Sequence, residues 1–193
     1  MVHYRTILKT PIEVIEMIQT QSFSVNQPTK IHFGLDSIKQ LGDVISKLNG
    51  SNVFLVADPG LKQAGIIKQI VSVLNKSKIP YTLYDKVTPE PGLKLADQGA
   101  KLAKKNKADC VVGVGGGSAL DIAKAISILL TNGGKAEDYL GLDKIKLQGV
   151  PKIMVPTTAG TGAEVTFTAV FINEKTNSKG GMNGDPLYPD AAI

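Results

Sequence analysis

The chain alternates between two kinds of hydrophobic pattern along most of its length. Short runs that are apolar at most positions occur at residues 52–60, 79–85, 108–117 and 151–158, and the more polar residues 26–34 also predict a short strand. Longer segments between them carry an apolar residue every three or four positions, as at Ile38, Leu41, Ile45 and Leu48. Strands that are apolar on both faces and alternate with amphipathic helices form parallel sheets covered on both sides. The pattern therefore predicts an α/β fold with a doubly wound parallel sheet.

Both ends of the chain depart from this pattern. Residues 1–22 predict a helical N-terminal extension, whose apolar face consists of Leu8, Ile12, Ile15 and Ile18. A helix packed on its own domain and a helix that docks on a partner both fit this face. Residues 164–181 alternate between apolar and polar positions, which predicts an antiparallel hairpin. We expect residues 23–193 to form one α/β domain.

Composition narrows the classes of function. The 193 residues are 42% hydrophobic and 20% charged, as in ordinary soluble proteins. The net charge of +5 comes from scattered lysines and aromatic residues make up only 5%, so we expect no nucleic-acid partner. A single cysteine, no leader-like segment and no membrane-length apolar run predict a cytoplasmic protein without a membrane partner. His3 and His32 share no face with acidic residues at metal-ligand spacing, so no metal site is predicted.

Three consecutive glycines mark the first candidate binding site, in the stretch CVVGVGGGSALDIAK from Cys110 to Lys124. Glycines at the start of a helix permit positive φ and leave room for a phosphate beside unpaired backbone N–H groups. Ser118 can add a hydroxyl, and Asp121 follows three residues later; a capping box made by these two side chains is the structural alternative. The spacing is not G-x-G-x-x-G, because position 118 is serine, nor does it match a P-loop.

Two further candidate elements follow other predicted strands. Asp58 ends the run VFLVAD, where a carboxylate can accept both hydroxyls of an adenosine ribose and would repel a 2′-phosphate. A turn at Asp58-Pro59 that caps the next helix fits equally well. The loop PTTAGTGAEVT concentrates threonine and glycine after a strand, which suits hydrogen bonding to a pyrophosphate or a nicotinamide amide.

The stretches GGGSALDIAK and PTTAGTGAEVT together resemble the iron-containing, or group III, alcohol dehydrogenase family. The resemblance extends from about Phe23 to Ile193. It implies a Rossmann-like domain of an NAD(P)-dependent oxidoreductase that interconverts alcohols with aldehydes or ketones. NAD is the expected cofactor, with NADP as the alternative.

The resemblance assigns cofactor contacts to ten residues of this chain. Asp58 matches the position that binds the adenosine ribose. The positions around the pyrophosphate are Gly116, Gly117, Ser118 and Asp121. The positions around the nicotinamide side are Thr157, Thr158, Thr161 and Thr166. Lys179 matches a lysine that approaches the cofactor ribose.

The main difference from the family concerns the residues that bind its metal. In the family, an all-helical C-terminal domain supplies an Asp and three His to a divalent metal, usually iron or zinc. We expect this domain to be missing from these 193 residues, because PLYPDAAI resembles the segment just before it in the family. We therefore expect a truncated, cofactor-binding portion with no catalytic or metal-binding residue of its own.

The resemblance also sets expectations about partners. The expected ligand is a small-molecule alcohol or aldehyde. The expected protein partners are further copies of this chain, in a homodimer or higher oligomer joined through the early strand segment 22–34. A non-catalytic nucleotide-binding or assembly module and a glycerol dehydrogenase-like relative are the alternative readings. The identities of the alcohol and of the metal are not encoded in these residues.

Overall fold

Residues 26–193 are described by the structure, which is a computed structural model. The nine strands are β1 (Lys30–Ile31), β2 (Val53–Ala57), β3 (Tyr81–Tyr84), β4 (Cys110–Gly115), β5 (Gly141–Leu142), β6 (Lys152–Pro156), β7 (Thr168–Asn173), β8 (Ser178–Asn183) and β9 (Ala191–Ala192). The α-helices are α1 (Leu41–Lys47), α2 (Gly60–Gln63), α3 (Ile66–Lys76), α4 (Leu93–Lys105) and α5 (Gly117–Asn132). The predicted N-terminal helix, His3 and the domain boundary at residue 22 lie outside the described residues.

Six strands form one parallel sheet in the order β1-β9-β6-β4-β2-β3. Every residue of β2 and β4 is buried, because helices cover both faces of these central strands. One face packs on α1 and α3, with Leu41, Ile70 and Leu74 in its core. The other face packs on α4 and α5, with Ile122 and Ile126 in its core. The predicted α/β fold with a doubly wound parallel sheet is confirmed.

A second sheet has three strands in the order β5-β8-β7. β7 and β8 form an antiparallel hairpin, which agrees with the hairpin predicted over residues 164–181. This hairpin lies against α5, so the helix is enclosed between the two sheets. The enclosure explains why every residue of α5 from 119 to 129 is buried and why the helix is apolar nearly all round.

The edge of the large sheet differs from the sequence expectation. The strand predicted over residues 26–34 shrinks to the two residues of β1, because it pairs only with the equally short β9. The sequence pattern did not predict strand β9, which lies between β1 and β6. Beyond β1, Phe33 and Leu35 are each 99% exposed. Within the described residues, no helix is long and apolar enough to cross a membrane.

The chain changes winding direction between β2 and β4. From β2 it passes through α3 to β3 at the sheet edge, whereas from β4 it passes through α5 to β6 in the opposite direction. These two crossovers lie on opposite faces of the sheet and leave a gap above the carboxyl ends of the two strands. Ligands of open α/β folds bind at such a switch point.

Candidate dinucleotide-binding site

Two adjoining cavities open at the switch point, and Gly117 and Ser118 line both of them. The first, which we call the β2-side cavity, has a volume of about 500 Å³ and extends from Asp58 across Val87 to the glycine turn. The second, the hairpin-side cavity, has a volume of about 420 Å³ and reaches Phe171 in β7 and Lys179 in β8. Together they form one elongated crevice with the start of α5 at its centre.

All ten residues assigned by the resemblance line this crevice. Those in the β2-side cavity are Asp58, Gly116, Gly117, Ser118, Thr157 and Thr158. Those in the hairpin-side cavity are Gly117, Ser118, Asp121, Thr161, Thr166 and Lys179. The structure thus brings together residues from the ends of β2, β4 and β6 and from strand β8. Their individual contacts with a cofactor stay predictions.

The glycine turn follows β4 and leads directly into α5. Gly115 has a φ of +144°, and a Cβ on it would lie 2.9 Å from the Cβ of Ala119, so no other residue fits without strain. Gly116 occupies the N-cap position, with extended backbone and no side-chain cap. The structural alternative of a capping box made by Ser118 and Asp121 is therefore wrong, because the helix begins earlier. Ala119 and Leu120 donate to the carbonyl of Gly116, so the N–H groups of Gly117 and Ser118 are the ones that lack partners within the helix, and they carry partial positive charge.

The threonine loop after β6 lies directly over the glycine turn. A Cβ on Gly116 would come within 3.3 Å of Thr158 Oγ1, and one on Gly117 within 3.1 Å of Thr161 Cγ2. The backbone N–H of Thr157 donates to the carbonyl of Gly115 at 3.0 Å. The missing glycine side chains therefore admit this loop, and its hydroxyls are held along the crevice beside the helix N-terminus.

Asp58 caps the helix that follows it and also lines the crevice. Its Oδ1 accepts hydrogen bonds from the N–H groups of Gly60 at 2.7 Å and Leu61 at 3.3 Å, so it caps the start of α2. Its Oδ2 lies 3.8 Å from where a Cβ on Gly115 would stand, next to the glycine turn. The same half-buried side chain lines the β2-side cavity. One carboxylate oxygen thus positions the loop while the other faces the crevice.

Asp121 is bonded within the protein. Its Oδ2 accepts the N–H of Val170 in β7 at 3.0 Å, and its Oδ1 lies 3.0 Å from the Nζ of Lys124. Burial raises the pKa of the Asp121 carboxyl, although the neighbouring Lys124 charge opposes that shift. Burial likewise lowers the pKa of Lys124, against the effect of Asp121. The carboxylate at the crevice wall therefore connects α5 to the hairpin.

Lys124 received no role from the sequence, although it belongs to the motif GGGSALDIAK. The signal was present, because this is the one charged side chain between Ile122 and Leu130 on an apolar helix. Its fully buried Nζ donates to the carbonyls of Ala163, at 3.0 Å, and Thr168. A lysine in such a position is paired with acceptors because an isolated buried charge is very costly.

Glu90 is a second residue that sequence reasoning missed. Its Oε1 lies 2.6 Å from the Nζ of Lys179, and both residues line the hairpin-side cavity. Glu90 has a φ of +49° between two prolines, and the adjacent Pro91 carbonyl accepts the N–H of Ile172 at 2.9 Å. The loop that carries Glu90 is therefore attached to the hairpin that carries Lys179.

Side chains that could bind a metal are dispersed within residues 26–193. No three side chains of His, Cys, Asp or Glu in this part of the chain lie close enough together to hold a metal ion. His32 contacts Gln40 Oε1 through its Nδ1 at 3.1 Å, beside the edge strand β1. The described residues therefore do not fit the metal that the resemblance implies for the family.

Comparison with known proteins identifies relatives over most of the chain. The family model for iron-containing alcohol dehydrogenase matches residues 28–193. Sulfoacetaldehyde reductase of Bilophila wadsworthia is 37% identical over 164 residues, which are 85% of this chain and 42% of that protein. Long-chain-alcohol dehydrogenase 1 of Geobacillus thermodenitrificans is also 37% identical, over 86% of this chain and 42% of its own length. The chain thus spans less than half the length of these curated relatives.

Solved structures match with the same partial coverage. 1,3-Propanediol oxidoreductase superposes with a TM-score of 0.85 at 30% identity, covering 90% of this chain and 45% of that one. Sulfoacetaldehyde reductase from Bifidobacterium kashiwanohense, solved in complex with NAD⁺, superposes with a TM-score of 0.82 at 28% identity, covering 90% and 46%. The fold and the order of its elements are those of the N-terminal part of these enzymes.

Proposed function

Because the chain belongs to the iron-containing alcohol dehydrogenase family, we propose that it binds NAD and is the cofactor-binding portion of an alcohol dehydrogenase. The observation that carries this proposal is the elongated crevice with the start of a 16-residue helix at its centre. NADH has an anionic pyrophosphate between two uncharged ends, and the crevice has a positive helix terminus between two cavities. Shape and charge therefore agree with one ligand class.

Each part of the crevice fits one part of the dinucleotide. The pyrophosphate would lie against the N–H groups at Gly117 and Ser118, with threonine hydroxyls above it. The adenosine would occupy the β2-side cavity, where the carboxylate of Asp58 accepts ribose hydroxyls. The nicotinamide would occupy the hairpin-side cavity, beside Thr161 and Thr166. These placements are consistent with the ten assigned residues lining the crevice.

Asp58 favours NAD over NADP in this arrangement. A 2′-phosphate would approach the Asp58 carboxylate, which two backbone N–H bonds hold in its orientation. Like charges at such short range oppose binding. We expect NADH to bind more tightly than NADPH for this reason.

The proposed chemistry divides between the cofactor and the protein. When bound, the nicotinamide supplies the hydride acceptor or donor that interconverts an alcohol with an aldehyde or ketone. The described residues bind and orient it: α5 holds the charged centre, and β7 and β8 form the wall beside the ring. No step that uses a metal is derived from these residues, because they contain no group that fits one.

The remaining expectations are part of the same proposal. The partner is a small-molecule alcohol or aldehyde, without nucleic acid or membrane. Self-association through the β1 edge, beside exposed Phe33 and Leu35, would give a homodimer or higher oligomer, since an open strand edge pairs readily. A cytoplasmic location agrees with the single buried cysteine, Cys110.

Titration with NADH tests the proposal directly. The chain has no tryptophan, so the fluorescence of bound NADH can be read without transfer from protein indoles. We expect a saturable increase in NADH emission that is reversed by ADP and by NAD⁺, and weaker binding of NADPH. Absence of saturable NADH binding by the folded chain would contradict the proposal. Turnover assays with ethanol and added Fe²⁺ or Zn²⁺ would then separate a binding portion from a complete enzyme.

A further inference from the structure

Lys124 connects three separate segments through one ammonium group. Its side chain is 0% exposed, and its Nζ lies 3.0 Å from Asp121 Oδ1 and 3.0 Å from the carbonyl oxygen of Ala163. The third acceptor is the carbonyl of Thr168, the first residue of β7. A lysine ammonium has three N–H donors; Lys124 donates to the two carbonyls and forms an ion pair with the Asp121 carboxylate. The connected segments are α5, the end of the threonine loop and the start of the hairpin.

All three segments belong to the wall of the hairpin-side cavity. Asp121, Ala163 and Thr168 line that cavity, and Val170, which donates its N–H to Asp121, lines it as well. None of these four residues lines the β2-side cavity, whose walls come from the loops after β2, β3 and β6 and from the glycine turn. The contacts of Lys124 therefore reach residues that line the hairpin-side cavity and no residue that lines the β2-side cavity.

We propose that Lys124 is a positioning residue that holds the wall against which the nicotinamide end of the dinucleotide binds. The proposal rests on the function proposed above, and it adds a division of labour within the crevice. Lys124 touches no ligand; it acts through the backbone of the threonine loop and of β7. Its loss should weaken interactions with the nicotinamide end while the adenosine diphosphate end still binds.

The chain offers a matched control in a second buried lysine. Lys152 is 1% exposed and starts β6, and its Nζ lies 3.7 Å from Asp190 Oδ2. Burial lowers the pKa of both lysines, and each faces an aspartate. Lys152, however, lies at the amino end of the sheet, whereas the crevice lies at the carboxyl end, and it lines neither cavity. Its substitution reports the cost of losing a buried lysine without a change at the crevice wall.

The test compares NADH with ADP as ligands of the same variants. Dissociation constants are measured by calorimetry for wild type, Lys124→Met and Lys152→Met, after circular dichroism has established the temperature at which each is folded. A second variant, Lys124→Gln, is shorter and uncharged but keeps N–H donors for the buried Asp121 carboxylate, so that the fold is less destabilised. The emission maximum and intensity of bound NADH report the surroundings of the nicotinamide separately.

We expect NADH affinity to fall about tenfold or more in both Lys124 variants, while ADP affinity changes less than about twofold. The emission of bound NADH should shift toward that of free NADH, and Lys152→Met should leave the ratio of the two affinities as in wild type. A parallel loss of NADH and ADP affinity, an unchanged NADH affinity, or an equal change of the ratio in Lys152→Met would overturn the inference. A folded wild-type chain that binds neither ligand would instead refute the proposed function.

Discussion

Asp58 and Asp109 stand at opposite ends of the same parallel sheet and are bonded very differently. Asp109, just before β4, uses both oxygens inside the protein: Oδ1 accepts the N–H groups of Ser51 and Asn52, each at 2.8 Å, and Oδ2 accepts the hydroxyl of Ser51. Asp58, just after β2, uses one oxygen to cap α2 and directs the other toward the crevice. The amino end is internally satisfied, whereas the carboxyl end keeps polar capacity for a ligand.

The same contrast holds for the surrounding groups. At the amino end, the carboxylate of Asp190 accepts the N–H of Lys152 at 2.8 Å, which fastens β6 to the segment before β9. At the carboxyl end, bare glycines and threonine hydroxyls surround the start of α5, where unpaired N–H groups accumulate. Substitutions at the amino end should therefore change stability alone, and those at the carboxyl end should change binding.

The largest effect is expected at Gly115, where both requirements meet. Gly115→Ala would combine a φ of +144° with a Cβ only 2.9 Å from that of Ala119. We expect the free energy of unfolding to fall by about 2–4 kcal/mol and NADH binding to be lost, because the turn must shift away from α5. Urea unfolding followed by circular dichroism, with NADH titration of the folded variant, measures both.

Gly65→Ala is the matched control for this substitution. Gly65 has a φ of +76°, but a Cβ there would have no neighbour within 4 Å, and the residue lies outside the crevice. It should cost about 1–2 kcal/mol of stability from backbone strain alone and leave NADH affinity unchanged. Wild-type affinity for NADH in Gly115→Ala would show that the glycine turn is not a determinant of binding.

The second-largest effect, on stability, is expected at Asp109, at the amino end of the large sheet. Burial alone would raise the pKa of Asp109, but hydrogen bonds from Ser51 and Asn52 outweigh it and hold the pKa below the usual range. A depressed folded-state pKa means that this stabilisation is present above the unfolded pKa of about 3.9 and is lost as the pH falls through the folded value. Asp109→Asn should therefore cost about 1–2 kcal/mol at pH 7, and less as the pH approaches 3.

Equilibrium unfolding between pH 7 and pH 3 checks the Asp109 prediction, and NADH titration at pH 7 checks its selectivity. We expect wild type and Asp109→Asn to converge in stability toward acid pH, with equal NADH affinity throughout the range in which both are folded. A constant difference across the pH range would remove the argument from ionisation. A weaker NADH affinity would remove the contrast between the two ends of the sheet.

The central strands of the large sheet could be predicted from the sequence, whereas the short strand β9 could not. The buried strands β2 and β4 were anticipated because every residue in them faces a core, which produces continuous apolar runs at residues 52–60 and 108–117. β9 has two residues, and its pairing depends on β1 and β6 and on the bonds of Asp190 to Lys152. No local pattern encodes such a short strand, because its neighbours in space and not in sequence determine it.

Some features of the candidate site could likewise be predicted from local sequence, and others could not. The glycine turn and the threonine loop were recognisable because their residue types are unusual in ordinary turns. The bonds of Lys124 were not, since its acceptors Ala163 and Thr168 are 39 and 44 residues away in sequence. Asp121 was assigned to a phosphate, but its bond to Val170 links residues 49 positions apart. Long-range partners decide whether a polar side chain serves a ligand or the fold.

A third, smaller effect is expected at Asp58, where the capping role and the ribose role can be separated. Asp58→Asn keeps an oxygen that can accept the N–H of Gly60 but removes the charge. We expect the preference for NADH over NADPH to fall about fivefold, a change of about 1 kcal/mol, with little loss of stability. Paired titrations with the two nucleotides measure the ratio; an unchanged ratio would mean that Asp58 serves only as the cap of α2.

The smallest effect is expected at Glu90, whose pair with Lys179 crosses the hairpin-side cavity. Glu90 competes with an anionic cofactor for that lysine, so Glu90→Gln should tighten NADH binding. Both side chains are more than half exposed, so the pair contributes only about 0.2–1 kcal/mol, which corresponds to a gain of up to about fivefold. NADH titration in a Lys179→Met background is the control, and there Glu90→Gln should have almost no effect. An equal gain in both backgrounds would mean that Glu90 acts through its charge alone, and a loss of affinity would mean that it helps to hold Lys179 in place for the cofactor.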